Sequence, residues 1–229
     1  SQHTEDLCAR VKAEQADIGL AFDGDGDRLI AVDEQGRELT GDHIMAICAR
    51  GYKQRGLLQN NLVVATVMSN FGFHQAMRDL DIDVGVAPVG DRYVLEMMKA
   101  REATLGGEAS GHLIFANHHT TGDGIIAALQ LLAEMREHNQ PLSALAQVMR
   151  LFPQELINVD VEQKPPVEQI PELQEAIQAA EAQLAGAGRV LIRYSGTQSM
   201  CRVMVEGPEA GITRKLATDL AATVKQCIG

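Results

Sequence analysis

Between residues 42 and 139 the chain alternates short apolar runs with helical patterns, and this rhythm restricts the fold more than any other feature. "LVVATV" (62–67) and "DVGVAPV" (83–89) are short, apolar and rich in β-branched residues, which predicts strands covered on both faces. Around them, "HIMAICARGYKQRG", "FHQAMRDL", "RYVLEMMKAR" and "DGIIAALQLLAEMREHN" read as helices. Asp42 is the expected N-cap of the first, which should end at Gly56. "TLGGEASGHLIF" (104–115) reads as strand, loop, strand. The expectation is an α/β domain over residues 40–152, built from βαβ units around a mixed, mainly parallel sheet.

The flanks read differently. Residues 5–15 predict a helix, and "DIGLAF" (17–22) and "LIAVD" (29–33) predict strands, with a turn at "EQGR". Residues 1–39 are too few for a domain, so the expectation is the end of a partial α/β domain that the chain enters midway. Towards the other end, Pro153, Pro165, Pro166 and Pro171 surround one strand. A helix at "ELQEAIQAAEAQLAG", strands at "RVLIRY" and "CRVMVEG", and a helix at "ITRKLATDLAATVKQC" follow. Residues 153–229 therefore predict a small α+β domain.

Composition removes several function classes. A formal net charge of −11 argues against nucleic acid or an anionic membrane as a general partner. Aromatic residues make up 3% and Trp is absent, which leaves little for base stacking. No apolar stretch approaches the roughly 18 residues of a membrane span, and "SQHTEDLCARVKAEQ" lacks a signal-peptide core. Cys8, Cys48, Cys201 and Cys227 form no CxxC pair, which fits reduced thiols in a cytoplasmic setting.

Three loops carry the chemistry. In "AFDGDGDRLIAV", Asp23, Asp25 and Asp27 can aim hard oxygen ligands at one Mg²⁺ or Ca²⁺. An EF-hand is excluded because Arg28 stands at the sixth position, which needs Gly, and because strands flank the loop. A bare hairpin turn would crowd three carboxylates at a cost in repulsion, so a cation is the preferred reading, with Arg28 as a fixed positive charge for an anionic ligand. In "RYSGTQSMCR", Arg193, Ser195, Thr197 and Arg202 flank Gly196, which suits a phosphate held by bidentate guanidinium groups and a backbone nest. An ordinary Ser-Gly-Thr turn is the competing reading. In "GGEASGH", Glu108 and Ser110 suit vicinal sugar hydroxyls and His112 suits proton transfer, against the alternative of a plain surface turn. Asp91 and Arg92 in "VGDRYV" stand at a strand-to-helix junction, where helix N-termini attract anions. Metal, phosphate and hydroxyl loops together point to a phosphosugar.

"DGDGDR", "GEASGH" and "RYSGTQSMCRVMVEG", in this order, resemble the α-D-phosphohexomutase superfamily. "VGDRYVLE", "VMSNFG" and "TTGDGIIAALQLL" are most similar to its phosphoglucosamine mutase branch. The resemblance implies the end of the family's second domain and all of its third and fourth. It also implies Mg²⁺ on Asp23, Asp25 and Asp27, and catalytic roles for Arg28, beside the reacting phosphate, and for His112. Sugar hydroxyls would fall to Glu108 and Ser110, and the non-reacting phosphate to Arg193, Ser195, Gly196, Thr197 and Arg202. Phosphate would move between C6 and C1 of glucosamine through a bisphosphorylated sugar. The family's nucleophile is a phosphoserine in a Ser-His-Asn motif, which these residues do not contain. The expected partners are therefore a phosphorylated hexose or hexosamine and the missing N-terminal domains, with a homodimer as a further possibility and little activity for the chain alone. Gln198–Ser199 replaces the family's Glu-Pro, and Ala109 replaces an Asn or Gln. A mannose or glucose phosphate mutase, or a non-catalytic sugar-phosphate module, are the competing readings.

Overall fold

The computed structural model describes residues 4–196 and 198–229, and the chain divides into two compact units that meet between Arg150 and Leu151. Among the described residues, no helix is long and apolar enough to cross a membrane.

The first unit opens with α1 (Glu5–Glu14) and an antiparallel sheet of β1 (Ile18–Phe22), β2 (Leu29–Asp33) and β3 (Glu38–Leu39). β1 pairs with β2 from Ile18–Asp33 to Phe22–Leu29, so residues 23–28 are the loop of a hairpin. α1 lies close on β1, and a Cβ on Gly19 would come within 2.5 Å of Val11. The two-residue β3 carries too little pattern to be seen in sequence. It forms because the 34–37 turn, with Gly36 at φ +74°, folds the chain back onto β2.

Next come α2 (Gly41–Gln54), β4 (Leu62–Thr66), α3 (Phe71–Asp79), β5 (Asp83–Ala87), α4 (Asp91–Arg101), β6 (Leu105–Gly107), β7 (Leu113–Phe115), α5 (Gly124–His138) and the short α6 (Leu142–Leu145). The sheet order is β5-β4-β6-β7, with β4 parallel to β5 and β6, and β7 antiparallel to β6. This is the mixed, mainly parallel sheet that the strand–helix rhythm demands. Ile44, Ile47, Phe73, Met77, Leu105, Phe115 and Leu131 fill the main core, while Val64, Val94 and Met98 pack the opposite face. The helix expected at residues 42–56 is Gly41–Gln54, and its N-cap position is Thr40, not Asp42. Asp42 is instead buried in the first turn, and its carboxylate accepts from the Asn70 amide at 2.8 Å, which ties α2 to the start of α3. A tertiary partner took the side chain that local capping rules had claimed.

The second unit has β8 (Gln154–Asp160), α7 (Pro171–Leu184), β9 (Arg189–Tyr194), β10 (Met200–Glu206) and α8 (Ala210–Ile228). Its antiparallel sheet has the order β8-β10-β9. Both helices pack on one sheet face, where Leu173, Leu184, Val203, Val205, Leu216, Leu220 and Val224 form a separate core. Pro171 opens α7 at its first position, where the missing N–H costs nothing.

Candidate functional site

In open α/β sheets, ligands gather at the carboxyl ends of parallel strands. Here β5 ends into residues 88–90 and β6 into residues 108–112, and the two loops touch at that edge. Glu108 accepts the Gly90 amide at 2.8 Å and sits 3.4 Å from the Ser110 hydroxyl. Gly90 has φ +130°, a conformation a side chain would strain.

The acidic loop is fastened to the same edge through backbone. The Leu29 amide donates to the Gly111 carbonyl at 3.1 Å, and Arg28 and His112 form an isolated antiparallel bridge. On its other side the Gly124 amide, opening α5, donates to the Gly26 carbonyl at 2.9 Å. Glycines make these approaches possible. A Cβ on Gly111 would lie 2.1 Å from the Leu29 carbonyl oxygen, and one on Gly124 2.6 Å from that of Arg28. Asp123 caps α5 through the Ile126 amide at 2.9 Å, so the helix that braces the loop has a defined start.

Within the loop, one ligand atom from each of Asp23, Asp25 and Asp27 lies within 4.8 Å of the others. Asp23 also accepts the Arg28 amide at 3.1 Å, which closes the turn. The Arg28 Nε stands 3.6 Å from Asp23 and 3.8 Å from Asp27. Burial lifts the Asp27 carboxyl above its ordinary range, with further upward pressure from a shared hydrogen bond and repulsion with Asp23; His112 opposes this. Burial also acts upward on Asp23, but the Arg28 amide, the Asp27 hydrogen bond and the Arg28 charge outweigh it and leave that carboxyl lowered. Asp27 Oδ1 is buried and finds no hydrogen-bond partner among the described residues. Crowded hard oxygens with an orphaned acceptor fit a small divalent cation.

His112 is buried at 4% exposure, with Nε2 3.5 Å from Asp27 and against Gly122, where a Cβ would come within 2.2 Å of that nitrogen. The first unit thus brings together Asp23, Asp25, Asp27, Arg28, Glu108, Ser110 and His112, with Gly90 as an unforeseen member. Arg92 is placed differently: its guanidinium runs along α4 to Glu96 at 2.8 Å, exposed, while Asp91 accepts the Arg92 amide.

In the second unit, Arg193 and Arg202 are direct cross-strand partners on β9 and β10. Burial, and then repulsion from Arg202, lower the pKa of Arg193. The Arg202 Nε is buried without a hydrogen-bond partner among the described residues. Like charges placed opposite one another destabilise a sheet, and an anion between them would relieve this. Ser195 is buried, with its hydroxyl accepting the Gln198 amide at 3.3 Å, and Gly196 is exposed at the turn; Thr197 lies outside the described residues. Lys164 reaches this turn from a distant loop, and sequence pattern alone had no signal for it beyond the prolines that follow.

The phosphoglucomutase/phosphomannomutase alpha/beta/alpha domain III profile matches residues 40–152, the C-terminal domain profile residues 156–223, and the alpha/beta/alpha domain II profile residues 1–36. Over 229 residues the chain is 57% identical to a phosphoglucosamine mutase of Syntrophobacter fumaroxidans and 55% identical to one of Syntrophus aciditrophicus. Each match covers 100% of this chain and 51% of the relative, so the chain spans about half the length of the curated relatives it matches. The fold is shared with Aspergillus fumigatus N-acetylphosphoglucosamine mutase, solved in complex with GlcNAc-6P and magnesium. That likeness has a TM-score of 0.76 at 21% identity, covering 96% of this chain and 52% of the other. Profiles in family order across both units, with relatives above half identity, carry the conclusion that the chain belongs to the phosphoglucomutase/phosphomannomutase family, the α-D-phosphohexomutases.

Proposed function

We propose that this chain supplies the metal, sugar and distal-phosphate loops of a mutase that interconverts glucosamine 6-phosphate and glucosamine 1-phosphate through a bisphosphorylated sugar. The observation that carries the reading is the meeting of the three-aspartate loop, buried His112 and the Glu108–Ser110 pair at one sheet edge. The names of the relatives and the magnesium complex of the fungal structure support the sugar class and the ion.

On this reading Asp23, Asp25 and Asp27 hold Mg²⁺, which when bound neutralises charge on a transferring phosphoryl group. Arg28 adds a fixed charge at the phosphoryl oxygens. Glu108 accepts from sugar hydroxyls and Ser110 donates to them, which fixes the reacting hydroxyl. His112 takes or returns that hydroxyl's proton at Nε2. The loop with Arg193, Ser195, Gly196, Thr197 and Arg202 holds the phosphate at the other end of the sugar. Residues 1–39, 40–152 and 153–229 are the corresponding segments of domains two, three and four. The phosphoryl donor is a serine that these 229 residues do not hold, so turnover requires the segments that the relatives carry in addition.

The test is mutase turnover with glucosamine 6-phosphate, Mg²⁺ and a sugar bisphosphate primer. No turnover by the chain, restored by adding the remaining segments of a relative, is the expected result. Turnover of mannose or glucose phosphate in preference to glucosamine phosphate by the complemented enzyme would overturn the sugar assignment.

A further inference from the structure

The turn that carries Ser195 and Gly196 is held by a strap from elsewhere in the second unit. The Lys164 ammonium donates to the Ser195 carbonyl at 2.8 Å and to the Gln198 carbonyl at 2.8 Å. Next to it, the Val161 amide donates to the Ser199 carbonyl at 3.1 Å. At the far end the Tyr194 hydroxyl donates to the Pro165 carbonyl at 2.7 Å. Residues 161–165 therefore grip residues 194–199 at four acceptors or donors, and Lys164 holds both sides of the turn.

The peptide plane converts this grip into an orientation. In a trans peptide the carbonyl and the following N–H point in opposite directions. With the Ser195 and Gln198 carbonyls turned towards Lys164, the Gly196 and Ser199 amides are aimed away from it. Outward amides on the two sides of one turn can both be offered to a single anion. The buried Ser195 hydroxyl is committed to the same turn by accepting the Gln198 amide. Ser199, which is free in φ and carries an N–H that a proline would lack, follows Gln198, whose carbonyl is taken by Lys164.

We propose that Lys164 is a positioning residue for phosphate binding. It holds the Ser195 and Gln198 carbonyls so that the Gly196 and Ser199 amides and the Arg193–Arg202 pair face one anion. The proposal rests on the phosphate reading of this loop. Its role is to pre-organise the turn, which lowers the ordering cost of binding.

The experiment titrates the full chain, its amides assigned by NMR, with glucosamine 6-phosphate and separately with inorganic phosphate. Lys164→Met is expected to weaken binding about tenfold, the cost of losing hydrogen bonds to a charged group. Hydrogen exchange at the Gln198 amide without ligand should quicken about tenfold as the turn opens, with exchange in the β8–β10 core unchanged. Lys164→Arg, which keeps the donors and the charge, should bind within about threefold of the native chain. Tight binding by folded Lys164→Met overturns the proposal and leaves the phosphate reading standing. Weaker binding without faster Gln198 exchange would make Lys164 a phosphate contact and also overturn it. No phosphate-dependent shift at Gly196 in the native chain would overturn both readings. Should Lys164→Met fail to fold, Lys164→Gln is judged by the same outcomes.

Discussion

The acidic loop of the first unit and the cationic loop of the second face the same physical difficulty and resolve it by different means. Each holds like charges at close range, three carboxylates in one and two guanidinium groups in the other. The acidic loop is confined by backbone: strand, helix and neighbouring loop approach so closely that glycine alone fits at Gly111 and Gly124. The cationic loop is open, with no described atom within 4 Å of a Cβ placed on Gly196, and a single lysine side chain bridges its carbonyls. Rigid confinement suits a small ion with demanding coordination, whereas a side-chain clasp suits a larger anion that enters and leaves.

The sharpest way to break this contrast is a methyl group. Gly111→Ala forces a side chain onto φ +94° and into the Leu29 carbonyl, so the first unit should lose about 2–4 kcal/mol in denaturant unfolding. Gly196→Ala should change stability by less than about 0.5 kcal/mol. Equal losses at the two positions would erase the distinction between a packed and an open loop. The next largest effect is expected from Asp25→Asn, which should weaken Mg²⁺ binding by on the order of 100-fold in calorimetry. The same variant without metal should be no less stable than the native chain, because carboxylate repulsion is reduced.

Arg202→Ala is the counterpart in the second unit. Glucosamine 6-phosphate binding should fall roughly tenfold or more, while stability without ligand stays within about 0.5 kcal/mol because repulsion on Arg193 is removed as well. A large loss of stability would mean that the arginine pair is structural.

The smallest effect concerns the β2–β3 turn, at the far end of the strand that leaves the acidic loop. Burial pushes the Glu34 carboxyl up, but hydrogen bonds from the Ser143 hydroxyl, from backbone including the Ser143 amide, and from Gln35 outweigh it and hold it below its ordinary 4.5. Between the lowered value and 4.5 the unfolded chain binds more protons, so this tie adds stability at neutral pH and is lost as pH falls through the folded value. Ser143→Ala should therefore cost about 0.5–1 kcal/mol at pH 7, with the difference from the native chain shrinking under acid. A pH-independent difference would assign the loss to packing.

Residue pattern was enough for the strand–helix rhythm of residues 42–139, for the strands around the acidic loop and for the crowding of like charges in it, because periodicity and charge crowding are local properties. β3 escaped it because two residues hold no period. Asp42 misled it because capping propensity is blind to the Asn70 amide 28 residues away, which took the carboxylate. The role of Gly90 beside Glu108, the bracing of the acidic loop by Gly124 and the reach of Lys164 to the turn after β9 were likewise decided by tertiary structure. Each joins groups far apart in the chain through one hydrogen bond or one close backbone approach. Such contacts depend on where whole elements pack, and the residue types at either end carry no mark of the partner they will meet.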